Sequence, residues 1–232
     1  MPGKFFPALV AGLTPTRLTG YRVNPAESDV IVISRYVWNM ELGAALHASL
    51  HLLEIGLRNR LDSVLTLRDG ATWFDDPLIV VEPSAQTAVA DAKARLLKDG
   101  KVVSPPGVIA TLDFGFWTSL FNRAYEQGPG RPVGHKSLWP SLLPSVARGR
   151  SRGQLAGRFN ELRKLRNRVF HYEPIWKAMS GKPLRQLHQE LIETIGWIDA
   201  DLARLAVLVD EFPLVLAAGF DWYKERLLLL DV

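Results

Sequence analysis

ELRKLRNRVFHYEPIW, residues 161–176, sets apolar and basic side chains at helical spacing and then stops at a proline. With about 100° of turn per residue, Leu155, Phe159, Leu162, Leu165 and Val169 fall on one side and form a core stripe. Asn160, Arg163, Asn167 and His171 lie toward the other side, with Glu161, Lys164 and Arg168 on the flank. Asn167 and His171 are four residues apart, so their side chains are neighbours. Arg166 fits neither set. It falls at the edge of the apolar stripe, where a charge needs a partner or a cleft. Arg166 and His171 stand about 140° apart on an ideal wheel. Both reach one small target only if the helix end distorts before Pro174, or if a second copy of the chain supplies one of them. The first candidate carboxylate for Arg166 is Glu54, which interrupts the apolar face of HLLEIGLRNRL. Arg58, four residues on, competes for Glu54, and Glu41 and Glu173 are weaker candidates.

Outward from this helix, the pattern stays helical. Val30, Ile33, Val37, Met40 and Ala44 recur at spacings of three and four, as do Leu46, Leu50, Leu53, Leu57, Leu61 and Val64. A run this long predicts two helices, broken near Ala45–Ser49 or at Gly43, with Gly70 as the stop. Further helices are expected over 83–98, from Pro105 behind a Ser104 N-cap to about Glu126 and over 183–210, and Pro213 sets off a final apolar segment over 214–230. Residues 1–25, punctuated by Pro2, Pro7, Pro15 and Pro25, read as irregular. Residues 127–150, rich in Gly and Pro, are the least regular part of the middle, with Leu138 and Trp139 as anchors. Strand signal is nearly absent. The expectation is one all-α domain over 26–232.

The chain has 232 residues, 47% hydrophobic and 22% charged, enough to bury a core unaided. It contains no cysteine, which excludes disulfides, thiolate zinc sites and a cysteine nucleophile, and fits a reducing cytoplasm. A net charge of +4 admits nucleic acid as a partner. The N-terminus lacks a basic region followed by an apolar core, and no run of about 18 apolar residues predicts a membrane helix. No HExxH, GxSxG, P-loop or GxGxxG pattern occurs. His47 and His51 share a helical face without a third ligand, so neither metal nor cofactor is expected. Arg148, Arg150 and Arg152 form a basic run, read either as a solvated loop or as phosphate contacts.

An arginine with a histidine suits metal-free cleavage of RNA. Histidine exchanges a proton near neutral pH. Arginine holds a phosphate and offsets charge growing on its oxygens. The RNA supplies its own 2′-hydroxyl as nucleophile, and Asn167 orients His171 or the substrate. The same spacing also occurs on helices with no such role.

RNRVFH has the form of the motif of HEPN-domain ribonucleases: arginine, a polar residue, three further residues, histidine. LRKLRNRVFHYEPIW resembles the C-terminal signature of the Abi-like, or abortive-infection, branch of that group. SRYVWNMELGAALHASLHLLEIGLRNRLDSVL resembles the family's N-terminal helices, and TLDFGFWTSLF with LWPSLLP its middle, so the likeness spans most of 26–180. It implies a HEPN-like bundle with additional helices. It also implies a homodimer through the motif helix, an RNA substrate cut without metal, and a cytoplasmic role in phage defence or as a toxin, with an antitoxin as a further partner. A non-catalytic HEPN module that binds RNA or a protein is the alternative. By this resemblance Arg166 and His171 are the catalytic pair. Asn167, Glu54, Arg58, Asn59, Tyr172 and Glu173 support them, and Arg163, Lys164 and Arg168 join the basic run in holding RNA. Tyr172 stands where many relatives carry a second histidine, and a tyrosine there still offers a hydrogen-bond donor.

Overall fold

A computed structural model describes residues 5–131, 133–147, 149–177 and 179–230, and among these the chain is all-α, with no strand. Its helices are α1 (Phe5–Leu13), α2 (Pro15–Thr19), α3 (Asp29–Asp69), α4 (Pro83–Lys98), α5 (Pro105–Thr111), α6 (Phe114–Ser119), α7 (Leu143–Val146), α8 (Arg152–Phe170), α9 (Leu184–Ile198), α10 (Ala200–Leu208) and α11 (Phe212–Leu228). No helix among the described residues is long and apolar enough to cross a membrane.

Three expectations need correcting. The segment read as irregular, 1–25, carries α1 and α2; Pro15 sits in the first turn of α2, where its missing N–H is no loss. The break expected near Ala45–Ser49 is absent, and α3 runs unbroken for 41 residues. Its leucine seam continues through Leu42, Leu46, Leu50, Leu53, Leu57, Leu61 and Leu65, each at most 2% exposed, and this outweighs the weak helix propensity of Gly43. Finally, two long expected helices are each split by an aspartate. Asp113 Oδ1 accepts from Phe116 N at 2.8 Å and starts α6 afresh. Asp199 Oδ1 accepts from the Asp201 and Leu202 amides at 2.9 and 3.0 Å and starts α10.

The chain groups into two compact units. One comprises Met1–His51, Lys164–Ile192 and Leu205–Val232. Its core gathers Phe6, Leu18, Tyr21, Val32, Ile33 and Leu227, with Trp176 packed against it. Arg35 is held there by both carboxylate oxygens of Glu27, each at 2.7 Å, and its guanidinium carbon lies 4.9 Å from the Phe220 ring centroid. Glu27 also accepts from Val23 N at 2.9 Å. The Arg35 hydrogen bonds, then the Val23 amide, hold the Glu27 carboxyl down to about 2.

The other unit comprises Leu52–Arg163 and Glu193–Arg204. Its core is aromatic: Trp73 against Trp117 at 6.0 Å, and Phe121 against Trp139 at 4.7 Å and Phe159 at 4.9 Å. The indoles keep partners, Trp73 Nε1 donating to Asp62 at 2.9 Å and Trp139 Nε1 to the Leu120 carbonyl at 2.6 Å.

Candidate functional site

Helix α8 ends in a tight turn that exposes the motif histidine. Tyr172 N donates to Val169 O at 3.1 Å and Glu173 N to Arg168 O at 2.9 Å. That pair of bonds defines a Schellman turn. His171 is then the last half-helical residue, its own amide still bonded to Asn167 O at 2.8 Å and its side chain exposed. The next residue must turn left-handed, and Tyr172 does so with φ of 56°. Glycine normally fills that position, because a Cβ there costs roughly 1–2 kcal/mol.

The strained turn is held from outside. The Tyr172 carbonyl accepts from the Arg17 guanidinium and from Tyr21 Oη at 3.3 Å. Asn39, on α3 and only 5% exposed, uses both ends of its amide. Its nitrogen donates to Tyr21 Oη and to Glu173 O, both at 3.1 Å, and its oxygen accepts from Ile175 N at 2.7 Å. Burial pushes the Tyr21 hydroxyl up to about 12, so it remains a donor at ordinary pH. Arg168 reaches forward to the Pro174 carbonyl, and its Nε lies 3.4 Å from the Glu173 carboxylate. Gly20 gives Pro174 room, since a Cβ there would stand 3.1 Å from its Cγ.

Arg166 is half-buried, as its place at the stripe edge implies. Its guanidinium carbon lies 4.2 Å from the centroid of the Phe170 ring, and its Nη1 lies 3.5 Å from Asn167 Oδ1. Phe170, four positions on, leans back toward the helix N-terminus and stacks on the Arg166 guanidinium. Leu155, Phe159, Leu162 and Leu165 are fully buried, and Val169 is half-buried beside a cavity.

That cavity, about 570 Å³, lies in the same unit as the turn. Tyr36, Met40, Ala44 and His47 of α3 form one wall, and Phe170 and Tyr172 another. The His47 and Phe170 rings are 5.3 Å apart.

Of the residues singled out by sequence, Lys164, Arg166, Asn167, Arg168, His171, Tyr172 and Glu173 belong to this unit. Glu54, Arg58, Asn59, Arg150, Arg152 and Arg163 belong to the other. Arg58 Nε donates to Asn59 Oδ1 at 3.2 Å, and Arg163 to Asn160 Oδ1 at 3.1 Å. The basic run makes internal contacts. Arg152 pairs with Glu126 at 2.8 Å and donates to Phe121 O at 2.9 Å, while Arg150 lies 4.7 Å from the Trp197 ring centroid. Arg148 falls outside the described residues. Among the described residues no group of His, Asp and Glu is arranged to hold a metal ion.

Sequence reasoning missed Arg17, Tyr21, Asn39 and His47 as parts of this site. For Asn39 a signal exists. Val32, Asn39 and Leu46 recur every seven residues, so an amide occupies a core position of α3 and needs buried partners.

No family model, no curated protein and no solved structure matches this chain.

Proposed function

We propose that the chain is a metal-independent endoribonuclease of the HEPN, Abi-like kind. The observation that carries this reading is His171, exposed at the end of α8 on a turn fixed by Arg17, Tyr21 and Asn39, with Arg166 stacked on the adjacent Phe170. A core histidine would be buried and packed; this one is open to substrate while its backbone is immobilised. Such pre-positioning is what proton transfer in a transition state requires.

In this reaction His171 accepts the proton of the RNA 2′-hydroxyl. The 2′-oxygen attacks the adjacent phosphorus, and the bond to the 5′-oxygen breaks. The leaving oxygen takes a proton, giving a 2′,3′-cyclic phosphate and a 5′-hydroxyl end. Arg166 binds the non-bridging oxygens as negative charge grows on them. Asn167 lies beside Arg166 and orients it. A second copy docked through α8 supplies a second His171 and Arg166 to one composite site. The biological role that fits is a cytoplasmic defence effector or toxin, restrained by an antitoxin.

The test is incubation of the purified chain with mixed RNA in EDTA, beside His171→Ala and Arg166→Ala. Cleavage should persist in EDTA and fall by about a hundredfold or more in each variant. RNA binding with no cleavage by the wild type points instead to a non-catalytic module. Equal cleavage by wild type and His171→Ala refutes the assignment.

A further inference from the structure

We infer that the cavity between α3 and the Phe170–Tyr172 segment seats one unpaired base of the RNA, next to the scissile phosphate. The inference rests on the ribonuclease reading and names where the substrate is gripped. The volume of about 570 Å³ is of the order that holds a small planar ligand. Met40, Phe170 and Tyr172 are large apolar side chains left 54%, 38% and 73% exposed around one concavity. Exposed apolar groups gathered around a hollow mark a binding surface.

The floor decides what kind of recognition is on offer. Tyr21 and Asn39 line it, but their hydrogen bonds go to Tyr172, Glu173 and Ile175 of the turn and to each other. The floor therefore does not read a base edge. Flat aromatic and thioether walls remain, and these grip the face of a ring. Every base has such a face, so the seat tolerates all four.

Charge separates a nucleotide from other occupants. Arg17 lines the cavity and Lys164 stands on α8, the helix that ends at its rim, while the rim carboxylate Glu173 is taken up by Arg168 at 3.4 Å. A phosphate on the ligand complements this excess. His171 does not line the cavity, but Phe170 and Tyr172, which do, flank it in the chain, so the seat leaves the phosphate beside the base, and not the base itself, for the histidine.

The test titrates AMP, GMP, CMP, UMP and ribose 5-phosphate into the full chain by calorimetry, with wild type, Ala44→Trp and Met40→Glu. Both substituted positions are exposed on α3, and the first fills the hollow while the second sets a carboxylate in its wall. The four nucleotides should bind within about threefold of one another, and about ten- to a hundredfold more weakly in both variants, while ribose 5-phosphate binds negligibly. Ribose 5-phosphate binding as well as AMP, or variants binding as wild type, overturns the seat. So does a dimer that dissociates in Ala44→Trp with nucleotide affinity unchanged. RNA cleavage separates the two readings. Cleavage by wild type with KM unchanged in Ala44→Trp sinks the seat and leaves the nuclease standing. Nucleotide binding lost in Ala44→Trp, with no RNA cut by wild type, sinks the nuclease and leaves the seat standing.

Discussion

Replacing Asn39 by alanine tests whether the turn after α8 is held in place by α3. The substitution removes three hydrogen bonds, to Tyr21 Oη, Glu173 O and Ile175 N. The heaviest loss is at Ile175, a residue only 2% exposed, whose amide is left without its acceptor. An orphaned buried group costs about 1–3 kcal/mol. The Glu173 carbonyl loses one donor, and the Tyr21 hydroxyl keeps the Tyr172 carbonyl as a partner, so together they add about 1 kcal/mol. The sum is about 3 kcal/mol, which for a chain of this size lowers Tm by roughly 6–12 °C. Calorimetric melting measures the whole effect, and hydrogen exchange at the Ile175 amide measures the local one. Asn39→Asp sharpens the test. It keeps an acceptor for Ile175 N but loses both donors and, once ionised, faces the Glu173 carbonyl oxygen. Burial raises the folded-state pKa of such a carboxyl above its unfolded value. The aspartate variant is then closest to wild type below about pH 4 and loses stability as pH rises through that raised value. A Tm within about 1 °C of wild type in Asn39→Ala, with unchanged exchange at Ile175, would refute the clamp.

Tyr172→Gly removes left-handed strain of roughly 1–2 kcal/mol against a glycine entropy cost of about 0.5–1 kcal/mol. Tm should rise by about 1–3 °C while nucleotide affinity falls, because one wall of the cavity is gone; a fall in Tm contradicts the strain argument. Glu27 has a folded-state pKa depressed from 4.5 to about 2, so its contribution is complete above about 4.5 and is lost as pH falls through about 2. Wild type should therefore lose more stability than Glu27→Gln across that window, and parallel Tm–pH curves would count against the Arg35 pairing. His171→Ala should leave Tm within about 1 °C of wild type, since the ring is exposed, so lost cleavage cannot be ascribed to unfolding.

The helices were legible because their stripes are long and regular. The leucine seam of α3 announces itself from Leu46 to Leu61, and what misleads is the length of the run, which suggests a break at Ala45–Ser49, together with Gly43, a residue whose effect depends on what packs beside it. The divisions at Asp113 and Asp199 were harder to see, because an aspartate inside an apolar pattern is as easily an exposed residue as a cap. The sequence puts the candidate pair within one short stretch, and the residues that hold the turn lie far from it. Arg166, Asn167 and His171 are close in sequence, whereas Arg17, Tyr21 and Asn39 come from more than a hundred residues away. The chain reversal at Tyr172 carried no glycine to signal it. That absence has a physical consequence. A glycine would make the same turn at lower cost and without so many partners. Tyrosine is kept in a strained conformation by two donors on its carbonyl and by Asn39 on the residues that follow. What tyrosine adds is a ring, 73% exposed, at the edge of a cavity and next to the motif histidine. Strain maintained by this many partners, where relief is one substitution away, points to a use for the ring itself.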